Sequence, residues 1–277
     1  MDIQSYKEEF YQRGFAVIRN CIPLDLIQNS RLIIQEKLSK LLEKELDYNE
    51  GIIEAIKIYR QLDIQNLIHE ELRASGVKKK ILLQPKILET LIHFIGPDLA
   101  CQSPGTLLIN LPWKTEAIYQ KKWHQEVWSG SSIKNVHVWT PLSMNQSEGG
   151  LDFMEESHLW GLVPNRNREP MELPDKFEVI TPTAAEGDAI IFHSLTMHRT
   201  SSNTSSLPRV AIAQATRNMY HPFSGLEHHL SWQSFHLSPV ARVERALGNP
   251  YLSPFRTLGG SLQLGYDGKK TLDGILE

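Results

Sequence analysis

The sequence predicts an α+β protein in which helices come first and support a following core of short β-strands. Two textures carry this. Through most of the first hundred positions apolar residues recur at helical spacing. After residue 98 they fall instead in short runs separated by Gly, Pro, Asn and Ser, the texture of an all-β sandwich or barrel. A third observation concerns organisation. No low-complexity linker and no internal repeat interrupts the 277 residues, so helices and strands read as layers of one domain. Residues 1–104 are then mainly helical support, 105–217 the β-core, and 218–277 a segment that wraps or covers that core.

In chain order, "FAVIRN" (15–20) is short and apolar, follows a polar helix-like segment and precedes "CIP", which makes it a strand. Residues 24–46 place Ile27, Ile34, Leu38 and Leu41 on one helical face. "QPKILETLIHFIGP" (84–97) opens on Pro85, repeats Leu88, Leu91, Ile92 and Ile95, and stops at Gly96 and Pro97, so it reads as a helix. The β-core is expected in "GTLLINLP" (105–112), "NVHVWTPLSM" (135–144), "GLDFM" (150–154), "KFEVIT" (176–181), "DAIIFHS" (188–194) and "RVAIAQATR" (209–217). The last sixty residues have poor periodicity. The charged stretch 36–50 reads as a solvated helix face.

Composition excludes several classes. The 41% hydrophobic and 22% charged fractions are those of an ordinary globular chain. A net charge of −3 without a basic tract argues against nucleic acid. No apolar run approaches the roughly 20 residues that span a bilayer, and the charged start lacks a signal core. Two cysteines, Cys21 and Cys101, make neither a disulfide framework nor a thiolate zinc site. A reducing cytoplasm is the expected location.

The chemistry-bearing stretch is "KKWHQEVWSG" (121–130), with a histidine and a glutamate two residues apart. On a strand, His124 and Glu126 would project from one face. By itself the pair is either a metal site or a polar strand face. Two histidines and one carboxylate hold Fe(II) on one side and leave positions open for a second oxidised substrate and dioxygen. Among eleven histidines, His198 is the selected third ligand, because it stands at the mouth of the strand in "EGDAIIFHSLTMH". Arg209 follows, opening a strand whose alternation sets it on one face with Ala211, Ala213 and Ala215. Its planar fork matches a carboxylate.

"HQE", "HVWTPL", "EGGLDFMEESH", "EGDAIIFHSLTMH" and "HRTSSNTSSLPR", in this order, resemble the phytanoyl-CoA dioxygenase family, non-haem Fe(II) and 2-oxoglutarate-dependent oxygenases on a double-stranded β-helix (a cupin-like jelly roll). The start, "EEFYQRGFAVIRNCIP", is similar to the family's opening. The resemblance implies that His124, Glu126 and His198 ligate iron and that Arg209 binds the distal carboxylate of 2-oxoglutarate. It places Gln125 and Trp139 in the cosubstrate pocket and Thr200 as a hydroxyl beside Arg209. Fe(II), 2-oxoglutarate and O2 are then the cofactors. The implied reaction couples decarboxylation of 2-oxoglutarate to succinate with hydroxylation of a small-molecule substrate.

This chain departs from the family at three places. Glu126 stands where Asp is usual. It still supplies a carboxylate, which halide-binding members lack, and so points to hydroxylation. Asn110 stands where many members have a lysine. The usual Pro-Gly before Ser-His is Glu155–Glu156, with Asp152 nearby. Those acids suggest a cationic or polar substrate, with a guanidinium alkaloid of bacterial specialised metabolism as one instance. Desaturation, epimerisation or ring closure at the same iron, and a non-catalytic β-helix binding module, remain open. His158 is expected to bond a turn, His137 and His193 to be core histidines, and His228–His229 to lie on a surface or substrate loop.

Overall fold

The computed structural model describes residues 3–102, 106–112, 121–144, 150–223, 232–247 and 256–257. The helical layer comprises α1 (Ile3–Arg13), α2 (Leu24–Leu42), α3 (Tyr48–Ile58), α4 (Gln61–Ala74), α5 (Val77–Leu82) and α6 (Pro85–Ile95). Its boundaries follow local chemistry. Asp47 caps α3 by accepting the Glu50 N–H at 2.9 Å. Glu43, at φ 51°, closes α2 in the left-handed region, so the expected helix over 24–46 ends at Leu42. Pro85 opens α6 and Gly96 ends it, as the sequence predicts. The buried face of α6 is Ile87, Thr90, Leu91 and Ile95, one position around from the expected stripe.

Thirteen strands are described: β1 (Phe15–Ile18), β2 (Leu99–Gln102), β3 (Thr106–Asn110), β4 (Val136–Ser143), β5 (Leu151–Met154), β6 (Asn165–Arg166), β7 (Glu169–Pro170), β8 (Val179–Ile180), β9 (Ala189–His193), β10 (His198–Thr200), β11 (Arg209–Asn218), β12 (Trp232–His236) and β13 (Arg256–Thr257). An eight-stranded sheet runs β1-β9-β4-β11-β2-β12-β13, with β3 sharing the β11 edge with β2. A three-stranded sheet runs β10-β5-β8, and β6 pairs β7. The last sixty residues therefore do more than cover the core: β12 extends the large sheet beside β2, and the helix α7 (Pro239–Ala246) follows it. His228–His229 lies outside the described residues.

Alternation along β4 and β11 sorts side chains to two faces. Val136, Val138, Leu142, Val210 and Ile212 pack with Ile27, Ile34, Leu38, Ile64 and Ile68 of the helices. Trp139 and Ala211 belong to a second apolar cluster with Phe15, Val17, Leu151, Phe153, Ile190 and Phe192, which joins the large sheet to the small one. With both faces covered, β4 and β11 are buried almost without a break, polar residues included.

The N-terminus is stapled across the two sheets. The Gly14 carbonyl accepts from the His193 N–H at 2.9 Å and from the Thr196 hydroxyl at 2.8 Å, a partner 182 residues away. The His158 ring donates from Nε2 to the Tyr11 carbonyl at 2.9 Å, so it is structural as expected, but it ties down the last turn of α1 rather than its own turn. A side chain at Gly14 would stand 2.7 Å from both His158 Nδ1 and Thr196 Oγ1, and φ there is +86°, so only glycine fits. Among the described residues no helix is long and apolar enough to cross a membrane. Cys21 and Cys101 are buried free thiols.

Candidate metal centre

The HxE segment is not the strand its spacing predicts. Only His124 is bridged, to His198; Gln125 is extended but carries no ladder pair, and Glu126 opens a 3-10 turn over Glu126–Ser129. The segment still joins the small sheet, because it runs antiparallel to β10. His124 N–H donates to the His198 carbonyl at 2.9 Å, His198 N–H returns a bond to His124 at 3.0 Å, and Thr200 N–H reaches the Lys121 carbonyl at 3.1 Å. The turn then brings Glu126 back over the histidines.

The three side chains converge. His124 Nε2 and His198 Nε2 lie 3.5 and 3.4 Å from Glu126 Oε1, and one ligand atom from each residue falls within 4.8 Å of the others. Each imidazole is oriented from behind, His124 Nδ1 to the Lys122 carbonyl at 2.7 Å and His198 Nδ1 to the Thr196 carbonyl at 2.9 Å. A carbonyl only accepts, so both Nδ1 atoms carry the proton and both Nε2 lone pairs face the centre. His124 Nε2 is buried with no hydrogen-bond partner among the described residues. Such an orphan is costly unless something else occupies its lone pair. Two imidazole nitrogens and a carboxylate are a donor set that suits ferrous iron.

Electrostatics support ligation. Burial acts to raise the Glu126 carboxyl, but the Lys121 ammonium, 3.7 Å away, is the largest opposing influence, and the group is held well below the usual carboxylate range. Burial and neighbouring His124 push His198 down to about 4, so its ring is neutral at physiological pH. Phe192 and Phe153 pack on that ring, with centroids 4.6 and 5.9 Å away.

The remaining expected site residues divide. Arg209 is buried at the head of β11, on the face of Ala211 and Ala213, and its guanidinium donates to the Ser201 carbonyl. Asn110, its cross-strand partner, donates to the same carbonyl at 2.9 Å. Trp139 is buried in the inter-sheet cluster, and its indole N–H has no partner among the described residues. Thr200 lies on β10, two residues beyond His198. Gln125 departs from expectation. Its amide donates to the Gly161 and Leu195 carbonyls at 2.8 Å each and accepts from Val163 N–H at 3.0 Å. Fully buried and committed to the backbone on all sides, it braces the loop rather than a cosubstrate.

The acidic face is likewise spoken for. Arg13 pairs with Glu155 at 2.5 Å. Arg199 and Thr181 both bond Asp152 at 2.7 Å. Two of the three acids expected to attract a cation are neutralised from within, and Glu156 stands exposed in a left-handed turn. What the sequence missed is His137, a strand histidine that faces the centre's supporting turn. Its only sequence signal is its parity with Trp139 on β4.

The phytanoyl-CoA dioxygenase family profile matches residues 10–211. No curated protein matches the sequence. Among solved structures, the chain is similar to the apo form of the non-haem monooxygenase ThoJ, with TM-score 0.62, 20% identity and coverage of 91% of this chain and 94% of that one. It is similar to EctD from S. alaskensis with 2-oxoglutarate and 5-hydroxyectoine, at TM-score 0.54, 14% identity and coverage of 81% and 78%. The epimerase SnoN, in complex with Fe3+, alpha ketoglutarate and nogalamycin RO, gives TM-score 0.53, 11% identity and coverage of 82% and 87%. These likenesses establish the double-stranded β-helix fold. The chain belongs to the phytanoyl-CoA dioxygenase family of non-haem iron, 2-oxoglutarate-dependent oxygenases.

Proposed function

We propose that the protein hydroxylates a small molecule, with His124, Glu126 and His198 as the iron ligands. The observation that carries this is the unpartnered, buried Nε2 of His124, aimed with His198 Nε2 at a carboxylate held ionised. Iron bound there, with 2-oxoglutarate and O2, supplies the oxidising chemistry. The chain's own residues orient and shield. The carbonyls of Lys122 and Thr196 keep both imidazoles in the metal-binding tautomer. Phe153 and Phe192 exclude water behind His198.

Arg209 and Trp139 are the proposed 2-oxoglutarate contacts, and Thr200 a hydroxyl beside them. Support comes from an arginine buried on the inward face of β11 and an indole donor left without an acceptor in the same inter-sheet interior. A dicarboxylate offers acceptors for both. Ala211 and Ala213, paired with Pro141 and Trp139 of β4, are small side chains on the face that Arg209 heads.

The test is anaerobic addition of Fe(II) and 2-oxoglutarate, which should give a weak visible charge-transfer band, followed by succinate formation in air. No band and no succinate would instead favour a binding module without catalysis. SnoN is an epimerase on the same fold, so epimerisation is the second reading. Product mass separates the two: hydroxylation adds one oxygen, epimerisation nothing.

A further inference from the structure

Glu126 is held by its main chain from two sides, and both sides lead to one side chain. Its N–H donates to the Ser194 carbonyl at 3.0 Å, and its carbonyl accepts from the Ser131 N–H at 3.3 Å. The hydroxyls of those same two serines meet at His137 Nε2, each 3.1 Å away. Asn135 ties the pair together: its amide donates to Ser131 Oγ at 2.9 Å, and its carbonyl accepts the Ser194 hydroxyl at 3.0 Å. Because Ser194 spends its proton on that carbonyl, its oxygen receives the proton of His137 Nε2. The ring is itself fixed, buried on β4 and stacked on Phe192 with centroids 5.1 Å apart at 20°.

We propose that His137 is a positioning residue for the metal centre: through Ser194 and Ser131 it locks the turn that carries Glu126 and so sets where the carboxylate stands. The inference rests on Glu126 being an iron ligand. A strand would fix a ligand by ladder bonds on both neighbours, but Glu126 stands in a 3-10 turn. Glutamate also has one more rotatable bond than the aspartate usual at this position, so its carboxylate has more freedom to lose on binding. Turn and longer arm together make backbone placement the deciding variable, and the His137 hub is what fixes that backbone. Removing a residue of this kind typically costs 10- to 100-fold in metal affinity, on the order of that seen for groups that orient ligands.

The experiment measures Co(II) binding to the purified full chain by its visible absorption, in the wild type and in His137→Leu, His137→Gln, Ser194→Ala, Glu126→Ala and the His137→Leu/Glu126→Ala pair. His137→Leu should weaken Co(II) about 10- to 100-fold. His137→Gln, whose Nε2 can again donate to Ser194, should recover most of the loss. In the Glu126→Ala background His137→Leu should cost nothing more, because its effect passes through that carboxylate. Should His137→Leu fail to fold, Ser194→Ala keeps the ring, removes its acceptor and is expected to weaken binding in the same direction. Wild-type affinity in these variants, or an equal loss with and without Glu126, would overturn the proposal. A wild type that binds no Co(II) at all would overturn the iron site itself, a distinguishable result.

Discussion

His124 and His198 exchange both of their backbone hydrogen bonds, at 2.9 and 3.0 Å, and their rings stand 4.2 Å apart between centroids. Two proposed ligands distant in the chain are thus neighbours in one ladder. Metal binding and strand pairing therefore report on each other. Loading with Fe(II) or Co(II) should raise the melting temperature by mass action, about 2.7 kcal/mol at a hundredfold excess over Kd. His198→Ala should abolish that rise and weaken the metal at least 100-fold. A variant that still gains stability from metal would remove His198 from the ligand set.

The metal-free chain should lose stability as pH falls from about 6.5 toward 4. Burial above all holds His137, His193 and His198 at about 4. In the unfolded chain a histidine takes up its proton near 6.5. Between those values the unfolded state binds more protons, so stability rises with pH across the window and is lost on descent. Glu126 acts lower: its depressed value contributes stability above the ordinary carboxylate range and loses it only further into acid. Urea midpoints measured from pH 7 to 4.5 check this. A flat profile in the wild type, or His193→Asn leaving the slope unchanged, would contradict it.

Gly150→Ala should damage the pocket without touching a ligand. A methyl there would lie 2.1 Å from Trp139 Cη2 and 2.4 Å from Cζ2, so the buried indole would have to shift. Overpacking of this kind costs about 1–3 kcal/mol. The expected outcome is a lower melting temperature together with a raised KM for 2-oxoglutarate and near-normal Co(II) affinity. Unchanged 2-oxoglutarate affinity would separate Trp139 from the cosubstrate.

Arg209→Lys keeps the charge and loses the planar fork. Since the guanidinium also donates to the Ser201 carbonyl, a lysine must choose between that carbonyl and a bound carboxylate. KM for 2-oxoglutarate should rise at least tenfold while metal affinity stays. The charge-transfer band, titrated with 2-oxoglutarate, reads both.

The strands with clear composition were legible: 188–194 appears as β9, 209–217 as β11 and 135–144 as β4. Both faces of these strands are covered, so the burial runs almost unbroken along each. The strand β10 was not legible, since three residues of mixed character carry no period, and its strand state comes from pairing with β5 and His124. Likewise β2 exists through its pairing with β11, and β12 through its pairing with β2. At the site, residue types and order picked out the three side chains that converge, but spacing suggested a strand at Glu126 where a turn stands. His137 looked like any core histidine, because the hydroxyls that give it a role come from Ser131 and Ser194, which sequence alone does not bring to it. The acids at 152 and 155 looked available, because Arg199 and Arg13 reach them only in three dimensions.

The Gly14 staple has a consequence for how the molecule is made. Its carbonyl waits for Thr196, 182 residues downstream, so although α1 can already pack on α6 through Phe10 and Phe94, the seam at Gly14 stays open until the segment between β9 and β10 has been made. Contacts of such separation are slow to form. The pocket around His198, bordered by that late-arriving seam, therefore closes only after the long-range contact with Gly14 has formed.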